Sequence, residues 1–304
     1  MDRALLIAGP TASGKSALAL ALAERLDGVV INADAMQVYR DLRVLTARPA
    51  PAEEARAPHR LFGHVDAAVA RSTGDWLREA LGEIASAHAA GRVPILVGGT
   101  GLFFTALTEG LADIPDIPAA VRADARAEAA ADAPRAHARL AALDRETAER
   151  LSPNDAVRIA RALEVHDATG RPLSDWRAGT RPALAPDQWA GIALAPPRPA
   201  LYAAINARFD AMLAGGAIEE ARALWTRGLP RDLPAMKAHG MPAFCAHFDG
   251  DIDLAAVARW GAQDTRNYAK RQFTWMRGRM AGWHIVEATA LDDRIAAALQ
   301  TPLR

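Results

Sequence analysis

Short apolar runs alternate with stretches of helical periodicity along the first hundred residues. Residues 5–8, 29–31 and 93–97 form apolar runs of the length that is typical of buried strands. Residues 17–26 and 76–90 lie between these runs and carry apolar side chains at helical spacing. Strands that alternate with helices in this way predict an α/β fold, in which helices cover both faces of a parallel sheet.

The pattern changes at residue 115. From there to about residue 181 the chain is helical in pattern, rich in Ala, Arg, Glu and Asp, and contains no convincing strand. We therefore predict an all-helical insertion domain over residues 115–186. The α/β core then consists of two parts, residues 1–114 and residues 187–304.

The second part of the predicted core begins with an apolar run at residues 188–194, which predicts a strand that returns to the sheet. Long helical patterns follow at residues 199–227 and 254–280, and residues 283–287 are a candidate for a last strand. Together with the first part, these elements complete the predicted core.

Composition limits the class of protein. Of the 304 residues, 51% are hydrophobic and 24% are charged, which excludes wholesale disorder. The 36 basic and 36 acidic side chains sum to zero, which argues against a protein that coats nucleic acid by bulk attraction. No apolar run approaches the roughly 18 residues of a membrane span, no signal peptide is recognisable, and the single Cys245 cannot form an intrachain disulfide. We expect a soluble protein of the cytoplasm that binds no membrane.

A complete phosphate-binding motif stands between the first predicted strand and the first predicted helix. Its pattern, G-x-x-x-x-G-K-[ST], is matched by Gly9, Pro10, Thr11, Ala12, Ser13, Gly14, Lys15 and Ser16. Glycine lets successive backbone N–H groups point at phosphate oxygens, Lys15 supplies a mobile charge, and the Ser16 hydroxyl is a ligand for Mg²⁺. This phosphate loop, residues 9–16, predicts a di- or triphosphate site, although it does not specify a reaction.

Two polar residues follow strands of the predicted sheet. Asp34 comes after the run at 29–31, and Thr100 lies in a Gly-Gly-Thr-Gly turn after the run at 93–97. Because the carboxyl ends of parallel strands face the ligand crevice, both residues should lie beside the phosphate loop. Asp34 then either helps to hold Mg²⁺, accepts a proton from a nucleophile, or caps the next helix, and the Thr100 turn either meets a ligand or simply reverses the chain.

The helical pattern near the C-terminus is basic. Six cations with interleaved aromatic residues occur there: Arg259, Arg266, Lys270, Arg271, Arg277 and Arg279, with Trp260, Tyr268, Phe273 and Trp275. Arginines that grip phosphates and rings that stack on unpaired bases are typical of RNA binding. A solvated helix whose aromatic side chains pack in the core explains the same pattern.

In combination, these motifs resemble one family, the tRNA dimethylallyltransferases, also called tRNA isopentenyltransferases. The matching segments occur in family order over nearly the whole chain: GPTASGKS at 9–16, NADAMQVY at 32–39, TARP at 46–49, VGGTGLFF at 97–104, NDAVRIARALEV at 154–165, RFDAML at 208–213 and RNYAKRQFTWMR at 266–277. The phosphate loop is common to many enzymes, whereas the other segments are far more specific.

The resemblance implies a P-loop NTPase-like core and a prenyl transfer. The dimethylallyl group would pass from dimethylallyl diphosphate to N6 of the adenosine at tRNA position 37, in tRNAs that read codons beginning with U. By the same resemblance, Asp34 is the general base, Thr100 contacts the bridging oxygen of the diphosphate and Arg208 binds the diphosphate. The phosphate loop with Mg²⁺ would hold the departing group, and a monomer is the expected form.

The resemblance also implies a set of tRNA contacts, to the anticodon stem-loop. They comprise Asp34, Ala35, Met36, Gln37 and Thr100, then Val157, Arg158, Ile159, Ala160 and Arg161, and Lys237, Ala238, His239, Gly240, Met241 and Pro242, with Arg271 from the basic helix. Arg122 is either a further contact or part of a solvated helix face. Some residues depart from the usual pattern, in particular Ala35, Leu45, Phe103 and the pair Met241-Pro242, and none of these departures removes a residue with an implied catalytic role.

Two other functions use the same features. A P-loop kinase of a small metabolite or nucleotide would use the phosphate loop with Asp34 as base or metal holder, but it has no need of the insertion or the basic aromatic helix. A non-enzymatic RNA-binding module would have no need of candidates for every catalytic role.

Overall fold

The computed structural model describes residues 3–280 and 282–300. The chain divides into two compact units. One unit is the continuous segment Glu109–Ala183, and the other combines Met1–Thr108 with Leu184–Arg304. We call them the helical unit and the α/β unit.

The α/β unit is built on a parallel sheet of six strands, described within those residues. Their bounds are β1 Ala4–Ala8, β2 Gly28–Asn32, β3 His59–Arg60, β4 Val93–Gly98, β5 Trp189–Leu194 and β6 His284–Val286. The order across the sheet is β3-β2-β4-β1-β5-β6, with every pair parallel. Parallel strands place their carboxyl ends at one edge, so the loops after β1, β2 and β4 are neighbours there.

Fourteen α-helices accompany the sheet within the described residues. They are α1 Lys15–Leu26, α2 Pro51–Glu54, α3 Thr73–Ala89, α4 Gly101–Thr108, α5 Ala119–Ala131, α6 Ala133–Leu143, α7 Arg145–Glu149, α8 Ala156–Thr169, α9 Leu173–Ala178, α10 Arg198–Ala214, α11 Ala217–Thr226, α12 Met241–Phe248, α13 Leu254–Arg279 and α14 Leu291–Leu299. None of the described helices combines the length and the apolar character that crossing a bilayer requires.

Alternation along β1 explains why helices cover both faces of the sheet. Leu6 belongs to a core with Trp76 of α3 and Phe104 of α4, whereas Leu5 belongs to a second core with Leu22 of α1. Successive side chains of a strand point to opposite faces, so each face of β1 buries its own set of apolar residues. The predicted α/β architecture is confirmed.

The structure corrects several predicted elements. The helical pattern at 199–227 is two helices, because the chain breaks at Gly215-Gly216 and Gly216 adopts a positive φ of 102°. The sequence pattern also missed the strand β3 and the helices α12 and α14. β3 has only two residues and lies at the sheet edge, so it carries too few side chains to show an apolar run.

The helical unit contains α5 to α9 and its own core. Leu140, Ile159 and Leu163 are fully buried in this core. The side chain of Asp144 accepts hydrogen bonds from Thr147 N (3.0 Å) and Ser174 N (3.0 Å) and so fixes the start of α7. The unit has no strand in its described residues, as the composition of this segment predicts.

Candidate active site

The phosphate loop connects β1 to the start of α1. Gly14 (φ 82°) and Ala12 (φ 62°) adopt left-handed backbone conformations that curl the chain around its own N–H groups. Lys15 is buried, and its Nζ donates to the Pro10 carbonyl at 3.3 Å. Burial lowers the pKa of Lys15 to about 8; the negative charge of Asp34 raises it in part, and the positive charge of Arg208 lowers it further. Lys15 forms no salt bridge in the described residues and is therefore available to bind an anionic ligand.

Ser13 adds a second sign of an incomplete site. Its hydroxyl is fully buried in the loop and has no hydrogen-bond partner among the described residues. A Cβ atom on Gly9 would lie 2.7 Å from this hydroxyl, so only glycine leaves room there. Buried hydroxyl groups are usually paired in folded proteins. An unpaired one within a phosphate loop fits a site built for a ligand with many acceptor oxygens.

Asp34 is held by a tight turn after β2. Asn32 accepts from the Asp34 N–H at 2.9 Å and donates to the Asp34 carbonyl at 2.9 Å. One carboxylate oxygen, Oδ1, accepts from the Met36 N–H at 2.9 Å. The Asn32 carbonyl accepts in turn from the buried indole of Trp76 at 2.8 Å. This network fixes the orientation of the Asp34 carboxylate and leaves its Oδ2 without a protein donor in the described residues.

Thr100 joins the turn after β4 to the Asp34 turn. Its hydroxyl accepts from the Ala35 N–H at 2.9 Å, and its own N–H donates to the Ala33 carbonyl at 3.3 Å. The two turns approach so closely that a Cβ atom on Gly98 would lie 1.9 Å from the Ala33 carbonyl oxygen. The structure thus brings Asp34 and Thr100 together, and the Thr100 hydroxyl also hydrogen-bonds with the Tyr268 side chain.

Arg208 reaches the phosphate loop from α10. Its guanidinium donates to the Thr11 hydroxyl. Burial lowers the pKa of Arg208, and the negative charge of Asp34 raises it in part. Arg208, Lys15 and Asp34 therefore form one electrostatic group, in which two cations share a single carboxylate.

Two residues of α13 complete the contact between the loops. Gln272 accepts from the Thr11 N–H at 2.9 Å and donates to the Gly99 carbonyl at 2.8 Å. The Tyr268 hydroxyl donates to the same carbonyl at 3.5 Å and also interacts with the Thr100 side chain. Burial raises the pKa of Tyr268, and the charge of Asp34 raises it further. The phenol therefore stays protonated and remains a hydrogen-bond donor.

A cleft opens beside these groups. Its lining residues are Thr11, Asp34, Met36, Leu45, Thr46, Ile205, Arg208, Phe209, Met212, His239, Thr265 and Tyr268. The set combines the carboxylate of Asp34 and the guanidinium of Arg208 with five large apolar side chains: Ile205, Phe209 and Met212 of α10, and Met36 and Leu45 of the loop after β2. Such a cleft suits a ligand that has both a charged and an apolar part.

Glu220 of α11 holds one wall of the cleft. Its carboxylate accepts three consecutive backbone N–H groups, from Arg43 at 2.7 Å, Val44 at 2.8 Å and Leu45 at 2.9 Å. Gln37 supports the same loop, because its Nε2 donates to the Thr46 carbonyl at 2.9 Å. Leu45 and Thr46 are therefore fixed parts of the cleft.

His239 enters the cleft with an acidic partner. Its Nδ1 lies 2.7 Å from Oδ2 of Asp264, and its ring contacts the ring of Tyr268 with centroids 4.2 Å apart. The hydrogen bond with His239 lowers the pKa of Asp264, and the charge of Arg271 lowers it further. Asp264 thus stays ionised and orients the imidazole.

The remaining residues with a predicted tRNA contact differ in how far they are exposed. Ala238 and Met241 are buried in the α/β unit, and Ile159 and Ala160 are buried in the helical unit, so these four side chains serve their cores. Gly240, also buried, has a positive φ of 90° at the start of α12. The exposed members are Val157, Arg158, Arg161, Lys237, Pro242 and Arg271. Arg122 is half-buried, and its guanidinium donates to the Ile117 carbonyl at 3.3 Å.

Sequence reasoning missed the residues of α13 that face the site. Thr265, Tyr268 and Gln272 are spaced by three and four residues, which is the spacing of one helix face. That spacing could have predicted a buried face of α13. The interpretation of this segment was instead based on its basic residues, which lie on the outer face. Arg271 is on this outer face, exposed, with its guanidinium 5.5 Å from the centre of the Tyr268 ring. Phe273 is buried, as the core interpretation of the aromatic residues predicts, whereas Trp260 is exposed.

The parallel sheet, with a complete phosphate loop after β1 and polar side chains after β2 and β4, defines a P-loop α/β protein. A family model described as "IPP transferase" matches residues 37–279, and one described as "Isopentenyl transferase" matches residues 2–68. The chain therefore belongs to the IPP transferase family.

Curated relatives and solved structures agree with this assignment. The chain is 56% identical to the tRNA dimethylallyltransferase of Nitrobacter hamburgensis over 98% of its own length and 95% of that protein. Among solved structures, a eukaryotic dimethylallyltransferase acting on tRNA superimposes with a TM-score of 0.84 at 26% identity, covering 99% of this chain and 77% of that one. The tRNA isopentenylpyrophosphate transferase of Bacillus halodurans has a TM-score of 0.70 at 32% identity, with 97% and 94% covered.

Proposed function

We propose that this protein transfers the dimethylallyl group of dimethylallyl diphosphate to N6 of the adenosine at tRNA position 37, 3′ to the anticodon. The products are N6-dimethylallyladenosine and diphosphate. One observation carries the proposal: a fixed carboxylate, Asp34, and a cation bonded to the phosphate loop, Arg208, border the same cleft. Family membership supports it independently.

The proposed reaction forms a bond from N6 to C1 of the prenyl group and breaks the bond from C1 to the bridging oxygen. The electron pair of the broken bond leaves with the diphosphate, and the proton of N6 passes to Asp34. Because the amine of adenine is a weak nucleophile, positioning and stabilisation of the leaving group must share the work. The Asp34 oxygen that is not bound to Met36 is the proposed proton acceptor.

Lys15, Arg208 and Thr100 would act on the departing diphosphate. The two cations lie at the phosphate loop and offset developing negative charge in a partly buried site, where such charge is stabilised more than in water. The Thr100 hydroxyl, which accepts from Ala35 and hydrogen-bonds with Tyr268 in the unliganded protein, would turn its hydrogen to the bridging oxygen of the diphosphate. The apolar cleft residues Leu45, Ile205, Phe209 and Met212 suit the prenyl chain.

Mg²⁺ fits this site through the chemistry of its donors. The exposed Ser16 hydroxyl stands beside Lys15 at the start of α1, and Mg²⁺ usually takes few protein ligands together with phosphate oxygens and water. Ser16 would therefore hold the ion with the diphosphate. The ion would supply charge neutralisation for the leaving group.

The acceptor base must leave the stacked anticodon loop to reach Asp34. We assign the neighbouring Ala35, Met36 and Gln37 to contacts with the extruded nucleotide. The exposed Arg158 and Arg161 of the helical unit, with Lys237 and Arg271 of the α/β unit, are proposed contacts to tRNA phosphates. By resemblance to the family, we propose a monomer that acts in the cytoplasm, where its tRNA substrate is found.

The test is incubation with labelled dimethylallyl diphosphate and an unmodified tRNA that carries A36-A37-A38. Label should appear in the tRNA and should comigrate with N6-dimethylallyladenosine after digestion to nucleosides. A matched tRNA with G37 should stay unlabelled. Absence of label together with transfer of phosphate from ATP to a small acceptor would overturn the proposal in favour of a kinase.

A further inference from the structure

Arg294 is a buried arginine in the second turn of α14. Only 8% of its surface is exposed, and its Nε donates to the Ala288 carbonyl at 2.8 Å. Arginine is almost never buried to this extent without a partner of opposite charge, because removing the cation from water is costly. The guanidinium of Arg294 is therefore expected to have a negatively charged partner.

The described part of the chain provides no carboxylate for Arg294. Burial lowers the pKa of Arg294, and no acidic side chain acts in the opposite direction. Asp292 and Asp293 are close in sequence, but both are exposed, and residues one or two positions apart on a helix do not face each other. Nη1 and Nη2 have no hydrogen-bond partner within residues 3–280 and 282–300. Arg294 therefore differs from the surface arginines in being buried without a counter-charge in the described residues.

The guanidinium lies directly against the phosphate loop. A Cβ atom on Gly14 would be 2.1 Å from Nη1 of Arg294. Gly14 adopts a positive φ of 82° at the start of α1, and the N-terminus of a helix favours the binding of an anion. The absence of a side chain at Gly14 thus serves two purposes, the turn itself and the close approach of Arg294.

With Arg294 included, three cations border this loop: Lys15 within it, Arg208 bonded to Thr11, and Arg294 against Gly14. The one carboxylate that acts on Lys15 and Arg208 is that of Asp34. A ligand that balances this excess of positive charge must carry at least two negative charges. A diphosphate group meets that requirement, whether it belongs to free diphosphate, to an allylic diphosphate or to a nucleotide.

We propose that Arg294 is a third cationic residue of the diphosphate site, and that bound diphosphate is its missing counter-charge. The inference deepens the proposed function, on which it rests, by adding a residue from a part of the chain that no family motif above includes. Arg294 stabilises the bound diphosphate over the Gly14 end of the loop, while Lys15 acts from within the loop and Arg208 acts from the cleft.

Arg294→Met tests this assignment because methionine keeps much of the apolar volume and removes the charge. Two quantities are measured by calorimetry: the Kd for inorganic diphosphate with Mg²⁺, and the midpoint of thermal unfolding without ligand. We expect the Kd to rise about 10- to 100-fold, the loss expected for a hydrogen bond to a charged group. The midpoint without ligand should stay the same or rise, since a buried unpaired charge has been removed.

Arg25→Met is the matched control, because it removes an exposed positive charge from the other end of α1 and should leave both quantities unchanged. An unchanged Kd for Arg294→Met would overturn the assignment. If the Kd rises and the midpoint falls together, Arg294→Lys decides: a Kd within about threefold of the native protein supports an anion-binding role, and a Kd as weak as that of Arg294→Met assigns a packing role instead.

The source of the diphosphate group and the wider function are separated in the same experiment. Titration with a non-hydrolysable allylic diphosphate and with ATP shows which ligand depends on Arg294. Native protein that binds diphosphate through Arg294 but labels no tRNA would contradict the proposed function alone. Native protein that labels tRNA while Arg294→Met binds diphosphate normally would contradict this inference alone.

Discussion

The phosphate loop and the helical unit use positive charge in opposite ways. At the loop, Lys15 and Arg294 are buried, and neither forms a salt bridge within the described residues. In the helical unit, several surface arginines pair with nearby acids, for example Arg139 with Glu128 and Asp167 at 2.8 and 2.6 Å. Further pairs of the same kind are Arg145–Glu149, Arg150–Glu146, Arg158–Asp155 and Arg161–Glu164.

The difference shows how a neutral protein can contain a strong anion site. Pairing at the surface satisfies a charge at little net gain, typically below about 1 kcal/mol. An unpaired buried cation instead lowers the free energy of unfolding of the unliganded protein. A bound anion that supplies the counter-charge restores it, and this gain contributes to the affinity for the anion. The total charge of the protein does not distinguish the two arrangements. The burial of each cation and the presence of an acidic partner do.

The largest expected effect concerns the carboxylate of the site. Asp34→Asn keeps the hydrogen bond from Met36 but removes the proton acceptor, so we expect turnover to fall about 10²- to 10⁴-fold. The measurement is single-turnover labelling of tRNA, together with the Kd for diphosphate.

The control for this variant is Asp251→Asn, which neutralises an exposed acid and should keep native turnover. A turnover of Asp34→Asn within tenfold of the native rate contradicts the role as general base. A large rise in the Kd for diphosphate would indicate that Asp34 holds the metal.

The next effect follows from the low pKa of Lys15. Below a pH of about 8 the ammonium is protonated in the unliganded protein and pairs with diphosphate. Above it, binding must first take up a proton, so the Kd should rise up to about tenfold per pH unit. Calorimetry between pH 7 and 10 measures this slope. Lys15→Met provides the reference, because it removes this proton uptake but keeps the titration of diphosphate itself. Equal slopes in the two proteins would refute the assignment.

A smaller effect is expected where a surface arginine has a buried partner. Arg161 donates to Glu164 at 2.6 Å, and Glu164 is only 3% exposed. Arg161→Ala leaves this carboxylate buried and unpaired, so the free energy of unfolding should fall by about 1–3 kcal/mol. Urea unfolding measures the loss. Recovery of stability in Arg161→Ala with Glu164→Leu would show that the unpaired charge causes it, and persistent loss would assign the effect to packing.

The smallest effect is expected for the matched pair one turn earlier in α8. Arg158 is exposed and contacts Asp155 at 3.2 Å, so Arg158→Ala should change the free energy of unfolding by less than about 0.5 kcal/mol. As a proposed phosphate contact, it should weaken tRNA binding a few-fold at low salt and less at high salt. Filter binding at two salt concentrations checks this. A loss that does not depend on salt would argue against a phosphate contact.

Local patterns were sufficient for most of the sheet and for the phosphate loop. Apolar runs of three to seven residues predicted β1, β2, β4 and β5, because a strand buried on both faces is apolar at every position. β6 was only a candidate at residues 283–287, and its His284 and Ile285 are exposed. The two residues of β3 carry no such signal, and α14, which contains Arg294, follows the last predicted strand without a pattern that we recognised. The break at Gly215-Gly216 was visible in sequence but was read as part of one helical pattern.

The candidate site was predicted only in part. Asp34, Thr100 and Lys15 follow strands at positions that a parallel sheet brings to one edge, so topology alone predicts that they meet. His239 and Tyr268 are far from them in sequence and meet the cleft through the packing of α13. Neighbouring residues of one predicted tRNA-contact segment, residues 237–242, also differ in burial. Met241 lies in the core, whereas Pro242 is exposed.

The sequence by itself determined the fold class, the phosphate loop and the family, because each depends on residues that are close together or on a repeating pattern. The tertiary structure decided which charges have partners. The 36 basic and 36 acidic side chains sum to zero in any arrangement. Only folding pairs a set of surface arginines with acids, as in Arg139–Glu128 and Arg227–Asp41, and buries Lys15 and Arg294 at the phosphate loop. Coulomb energy and desolvation depend on distance and burial, which the order of residues does not contain.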